Sequence, residues 1–221
     1  KENLNLIEKN NDLIDAYFTT THPKNVLSKF IHNKKLNFLP MLVDKNIENL
    51  HLFDIKNKFK DLFFALSHGV NFGKLKKNKN DEREAFVKNL YRFGKDINFN
   101  VLGINNESPK WNYNFYKELS KCKMALNLSR GKPIKYSTSN RISSLVANGI
   151  YTFIDKRTKF NDFFDENEMG FYNNEKDLIN KVENLKGQDG KLYKYSKNGM
   201  KRYFELFNNK LVSKYIIDRT D

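Results

Sequence analysis

From Asp61 onward, short apolar runs of strand length alternate with stretches of helical period, and that alternation leaves the chain few folds to choose from. Leu62-Phe63-Phe64-Ala65-Leu66 is apolar at every position, as a strand covered on both faces must be. Asp81 and Glu84 have the spacing of a capping box and open a helix with Phe86, Val87, Leu90 and Tyr91 on one face. Ile97, Phe99 and Val101 alternate as a strand does, Phe115, Tyr116 and Leu119 mark a helix, and Met124 to Leu128 is a further strand. Ile142, Leu145 and Val146 mark the next helix, which Gly149 is placed to end. Ile150 to Ile154 reads as a strand and Leu178, Ile179, Val182 and Leu185 as an amphipathic helix. From Asp189 the pattern is helical to the end, through Tyr203, Phe204 and Phe207 and then Leu211, Val212, Tyr215 and Ile216. Strands alternating with helices imply right-handed crossovers. The expected fold is therefore α/β, a Rossmann-like parallel sheet with flanking helices.

The N-terminal stretch is a shorter unit of the same kind. Leu13 to Phe18 reads as a strand, and Pro23 suits the first turn of a helix carrying Val26, Leu27, Phe30 and Ile31. Leu36 to Pro40 closes the unit as a strand. Met41 to Lys60 is polar and weakly periodic and reads as a linker.

Charge narrows the partners. A net charge of +14 points to an anion: a nucleic acid, a membrane surface or a phosphorylated ligand. Lys and Asn are abundant throughout, so compositional drift accounts for the charge equally well. Cys122 is the single cysteine, which excludes an internal disulfide and fits a reducing compartment. No run approaches the roughly 20 apolar residues of a membrane span, and Lys1-Glu2-Asn3-Leu4 does not begin a signal peptide. A cytoplasmic location is expected, with peripheral contact at the inner face of an anionic membrane. His22, His32, His51 and His68 have no metal-ligand spacing, and no Asp-x-Asp occurs, so neither a metal nor a cofactor is expected.

In an open parallel sheet, ligands bind beyond the C-terminal ends of the strands. Three loops qualify: His68 to Lys77, Ser129 to Arg141, and Asp155 to Lys159. In the first, Gly69 and Gly73 let backbone N–H groups approach a phosphate, although an ordinary glycine turn has the same composition. In the second, Ser137, Thr138 and Ser139 stand where a helix begins, with Arg130 and Arg141 on either side. A helix N-terminus attracts anions, and two guanidinium groups could add bidentate contacts. Equally, Ser137 to Asn140 could cap the helix while the cations are solvated.

Lys123-Met124-Ala125-Leu126-Asn127-Leu128-Ser129-Arg130-Gly131, then Tyr136 to Ile142 and Ala147-Asn148-Gly149, resembles the group 1 glycosyltransferases. More narrowly the stretch is similar to the bacterial branch related to spore-maturation glycosyltransferases. Gly170-Phe171-Tyr172 before Lys176-Asp177-Leu178, and Leu39-Pro40-Met41-Leu42-Val43-Asp44, resemble two further parts of that family. The resemblance implies a two-domain GT-B fold whose C-terminal half grips a nucleotide diphosphate sugar. Residues 1–44 would then be a remnant of the N-terminal Rossmann-like domain, and 45–221 the donor-binding domain. It implies His68, Gly69, Asn71, Gly73, Lys74, Arg130, Tyr136, Ser137, Ser139, Asn140, Arg141 and Ser144 as donor contacts. The partners implied are the nucleotide sugar and a glycan or lipid-linked acceptor. Ser144 stands where the family has an acid for the donor's ribose. The catalytic group is not identified; His22, the base candidate in the remnant, also suits the start of the helix after Pro23.

Two rivals stand beside this reading. A basic nucleic-acid-binding module would explain the charge and the aromatic content, but the aromatics occupy core-like positions and no nucleic-acid motif occurs. A degenerate, non-catalytic half would explain Ser144 and the short N-terminal part. With one wall of its cleft largely absent, the chain alone is expected to bind a nucleotide without transferring sugar.

Overall fold

The computed structural model describes residues 6–7, 9–24, 31, 35–66, 82–104 and 107–220. The expected helix after Pro23 and the loop His68 to Lys77 fall outside these residues, apart from Lys24 and Ile31 of the first.

Five parallel strands form the sheet: β3 (Lys60–Ala65), β4 (Phe99–Leu102), β5 (Cys122–Asn127), β6 (Tyr151–Asp155) and β7 (Gly170–Tyr172), in the order β4-β3-β5-β6-β7. Helices α1 (Glu82–Phe93), α2 (Asn112–Leu119) and α3 (Arg141–Val146) make crossovers, α4 (Glu175–Leu185) follows the last strand and packs against α1, and α5 (Asp189–Phe207) packs across the sheet. The strand order reverses beside β3, where the chain moves outward to β4 and returns to β5. Such a switch point opens a crevice at the C-terminal strand ends.

The continuous apolar character of β3 has its reason in two covers. Leu62 and Phe64 pack with Val87 and Leu90 of α1 and with Leu178, Ile179 and Val182 of α4. Phe63 and Ala65 face the other way, toward Phe115, Leu119 and Leu145. A third cluster joins Ile142, Val146, Ile154 and Phe171 to Tyr203, Phe204 and Phe207 of α5.

Two short parallel strands, β1 (Tyr17–Thr19) and β2 (Leu36–Phe38), pair separately from the sheet. The expected strand from Leu13 is cut back, because Asn11–Leu13 forms a 3-10 turn. Helix α6 (Asn209–Thr220) follows α5 after a break at Asn208 and reaches β1–β2. There the Tyr215 ring meets Phe18 edge-on at 6.1 Å, and its hydroxyl lies 3.4 Å from Asn37 Oδ1.

The segment Met41 to Lys60 is not the loose linker its polarity suggests. Val43 is buried, pairs with Asn208 and exchanges backbone hydrogen bonds with Phe207 and Asn209. Leu52 is also buried, and its N–H donates to the Asn148 carbonyl. Two apolar anchors 9 residues apart leave no periodicity to read, yet they tie the segment to α5 and to the end of α3.

Candidate functional site

The site grows from the end of β5. Asn127 is buried, and its side chain bridges to the loop that leads to α3: Oδ1 accepts from Ser139 N–H at 3.2 Å and Nδ2 donates to Ser139 O at 3.2 Å. A buried amide must be satisfied, so this pair fixes where α3 starts.

That role corrects the expected capping. Helix α3 begins at Arg141 and has only 6 residues; its cap position, Asn140, is already helical and makes no side-chain cap bond. Ser137 N–H closes a turn onto Ile134 O instead. Ser139 Oγ accepts only a long 3.4 Å bond from Arg141 N–H. The hydroxyl run marks a helix start, as expected, but the backbone groups of Ser139 are held by Asn127 from 12 residues away.

Arg141 turns its guanidinium inward. Its Nη2 donates to Leu128 O at 3.2 Å, while Nε is buried with no hydrogen-bond partner among the described residues. The Phe64 ring lies 5.8 Å away. Burial foremost, and then the nearby Arg83 guanidinium, push its pKa down to about 10. It remains a cation at neutral pH, and two positive side chains are therefore drawn together here.

Arg141 and Ser144 share a cavity of about 250 Å³ with Ala65 and Leu66 at the end of β3 and with Lys110, Trp111 and Tyr116. Trp111 is 46% exposed at this mouth. Trp111 and Arg83 were not singled out from the sequence. The lone tryptophan was the available signal for the first. Arg83 reads as an ordinary first-turn helix residue, yet it is buried.

A neighbouring cavity of about 240 Å³ lies beyond β5, β6 and β7 and is lined by Arg83, Ser129, Gly131, Asp155 and Tyr172 among others. The Gly131 N–H donates to the Glu82 carboxylate, closing the Ser129–Pro133 turn over α1. In the third expected loop, Arg157 clamps Asp155, with Nη2 at 2.7 Å from Oδ2.

The remaining expected contacts are dispersed. Tyr136, at a φ of 62°, faces away from Arg141: its hydroxyl donates to Asp162 at 2.9 Å and its ring meets His22, Phe38 and Phe163. Arg130 and Asn140 are exposed. His68, Gly69, Asn71, Gly73 and Lys74 lie outside the described residues. Among the described residues, no helix is long and apolar enough to cross a membrane.

The fold recurs in solved structures of glycosyltransferases. S. aureus TarM matches over 100% of this chain and 46% of its own, at 9% identity and a TM-score of 0.68. Anabaena Alr3699/HepE, solved with UDP, matches over 98% of this chain and 66% of its own, at 10% identity and a TM-score of 0.62. Sucrose-phosphate synthase from Thermosynechococcus elongatus matches over 99% and 61%, at 11% identity and a TM-score of 0.61. The chain thus spans about half to two thirds of the structures it resembles, and its sheet corresponds to the C-terminal half of the GT-B fold. No curated protein sequence matches it. The sequence profile of the glycosyl transferase-like family matches residues 81–218, well over half of the chain. The chain belongs to the glycosyl transferase-like family.

Proposed function

We propose that this chain is the donor-binding half of a glycosyltransferase that moves a sugar from a nucleotide diphosphate to a hydroxyl of a glycan or lipid-linked acceptor. The observation that carries the reading is Arg141: a largely buried cation with an unpartnered Nε, set in a cavity at the C-terminal strand ends. Breaking the bond between sugar and diphosphate leaves negative charge on the departing phosphate. A cation already desolvated and fixed in place stabilises that charge without reorganising. A phosphate oxygen would also satisfy the orphaned Nε, which otherwise costs the chain a buried donor.

The other walls suit the rest of a nucleotide. Trp111 offers a ring face for a base, and Ser144 a hydroxyl for the ribose. The positive charge of Arg83 and Arg141 supplies the neutralisation that a metal ion would otherwise provide, so the reaction is assigned as metal-independent. His68, Gly69, Asn71, Gly73 and Lys74 would complete the phosphate site, with Arg130, Tyr136, Ser137, Ser139 and Asn140 shaping the loop below it. Relation to the spore-maturation branch rests on the Leu126-Asn127-Leu128 strand end and the α3 loop alone. The +14 charge supports a cytoplasmic site at an anionic membrane face.

Calorimetric titration with UDP and GDP tests the reading. Arg141→Ala should weaken binding by about 10- to 100-fold, the worth of a charge-assisted contact of roughly 1.5–3 kcal/mol. Equal binding by variant and parent would sink it. A second reading, a binding half without catalysis, is favoured by Ser144 in place of an acid. A turnover assay with nucleotide sugars separates the two when run on this chain and on one extended upstream. Transfer by the extended chain alone supports catalysis across two halves, and transfer by neither supports the second reading.

A further inference from the structure

At the opposite end of the sheet, before the first residues of β3 and β5, lies a cavity of about 430 Å³. Lys58 reaches into it from the segment preceding β3. Its ammonium makes no ion pair or hydrogen bond among the described residues. Ser196 of α5 is 4% exposed and lines the same space, and its hydroxyl likewise makes no hydrogen bond among the described residues. Helix α5, 19 residues long, begins at Asp189 beside the cavity with no side-chain cap on its first turn. Lys123 lies there as well, held at 2.9 Å from Asp189 and 2.7 Å from Lys186 O.

These are four separate sources of hydrogen-bond donors or positive charge around one space, offset by a single carboxylate already paired to Lys123. The opposite wall is apolar: Phe53 and Tyr193 meet edge-on at 5.5 Å, beside Ile55 and Leu192. We propose that this cavity binds a phosphomonoester carried on an apolar group. Phosphate, with three acceptor oxygens and close to two negative charges at neutral pH, can use Lys58, Ser196 and the α5 amides together. The apolar wall takes the organic part. The site is distinct from the Arg141 cavity and does not rest on the nucleotide reading. The ester could be free in solution or a lipid headgroup, and the test separates these sources.

The probe is phenyl phosphate, titrated by calorimetry into the 221-residue chain, beside inorganic phosphate, benzoate and vesicles containing phosphatidic acid. Phenyl phosphate should bind saturably and at least about tenfold more tightly than inorganic phosphate or benzoate. Lys58→Met should weaken it about tenfold or more, as loss of one charge-assisted contact implies. Lys58→Arg should restore most of the affinity, and Lys201→Ala, on the exposed side of α5, should leave it unchanged. Burial foremost lowers the Lys58 pKa to about 8, with Lys123 opposing and Asp189 and Cys122 supporting its charge. Affinity should therefore fall as pH rises from 7 through 9. Lys58-dependent binding only to phosphatidic acid vesicles would assign the lipid source. Equal affinity for benzoate, a Lys58→Met or Ser196→Ala variant that binds as the parent does, or no saturable binding to any arm would overturn the proposal.

Discussion

Both ends of the sheet hold a cation withdrawn from water that makes no ion pair among the described residues, yet the two behave differently. At the C-terminal end, burial and then Arg83 bring Arg141 down to about 10. At the N-terminal end, burial foremost brings Lys58 down to about 8. The guanidinium starts so high that desolvation does not remove its charge at neutral pH, whereas the ammonium can shed its proton just above it. A fixed cation suits a site where charge must be met during a reaction. A titratable one suits a site where binding can be graded. The two ends are also joined physically. Phe53, a wall of the lower cavity, lies against Gly149 at the end of α3, the helix that carries Arg141 and Ser144.

The largest effect that could break the comparison is at Arg141. Arg141→Ala should reduce UDP or GDP affinity about 10- to 100-fold, whereas Lys201→Ala, on the exposed side of α5, should change it less than about twofold. Comparable losses in the two titrations would mean that burial of the cation is irrelevant. Next comes the link between the ends. Gly149 has a φ of +81°, and an added Cβ would stand 2.5 Å from the Phe53 ring. Gly149→Val should cost on the order of 2–3 kcal/mol in denaturant unfolding, through backbone strain and displacement of Phe53. A change under about 0.5 kcal/mol would show that the contact is soft.

Lys58 sharpens the contrast through pH. Its folded-state pKa of about 8 lies below the unfolded value of 10.5, so charged Lys58 burdens the fold fully below pH 8. The burden eases as pH rises through 8 toward the unfolded value. Lys58→Met should therefore stabilise the chain at pH 7, with the gain shrinking by pH 10 in thermal melts. A gain independent of pH would point to side-chain packing and not charge. The smallest expected effect is at Ser144: Ser144→Ala should weaken nucleotide binding only about two- to tenfold, as one neutral hydrogen bond allows. A larger loss would give this serine the weight of the acid it replaces.

Much of the sheet was legible because strands and helices announce themselves locally. Leu62 to Leu66, Met124 to Leu128 and Ile150 to Ile154 fall within a residue or two of β3, β5 and β6. The site was legible only in part. Arg141 and Ser144 share one cavity, but Tyr136, expected beside them, binds Asp162 at the seam with His22 and Phe38. Its loop position was readable, while the direction of its ring depends on a φ of 62° that no local pattern requires of a tyrosine. Met41 to Lys60 looked like a linker because Val43 and Leu52 are single anchors whose partners, Asn208 and Asn148, lie about a hundred residues or more away.

What the amino-acid order determined by itself was the alternation of strands and helices and the two-sided burial of the sheet. These follow from residue spacing and from the handedness of crossovers, which act over a few residues. Only the tertiary structure decided that Asn127 holds the α3 loop, that Arg83 and Arg141 are drawn together, and that Lys58 and Ser196 share a cavity with the start of α5. Those arrangements depend on which side chains are denied water and which partners they then meet. Desolvation is set by the whole packed chain and cannot be assigned from neighbours in sequence.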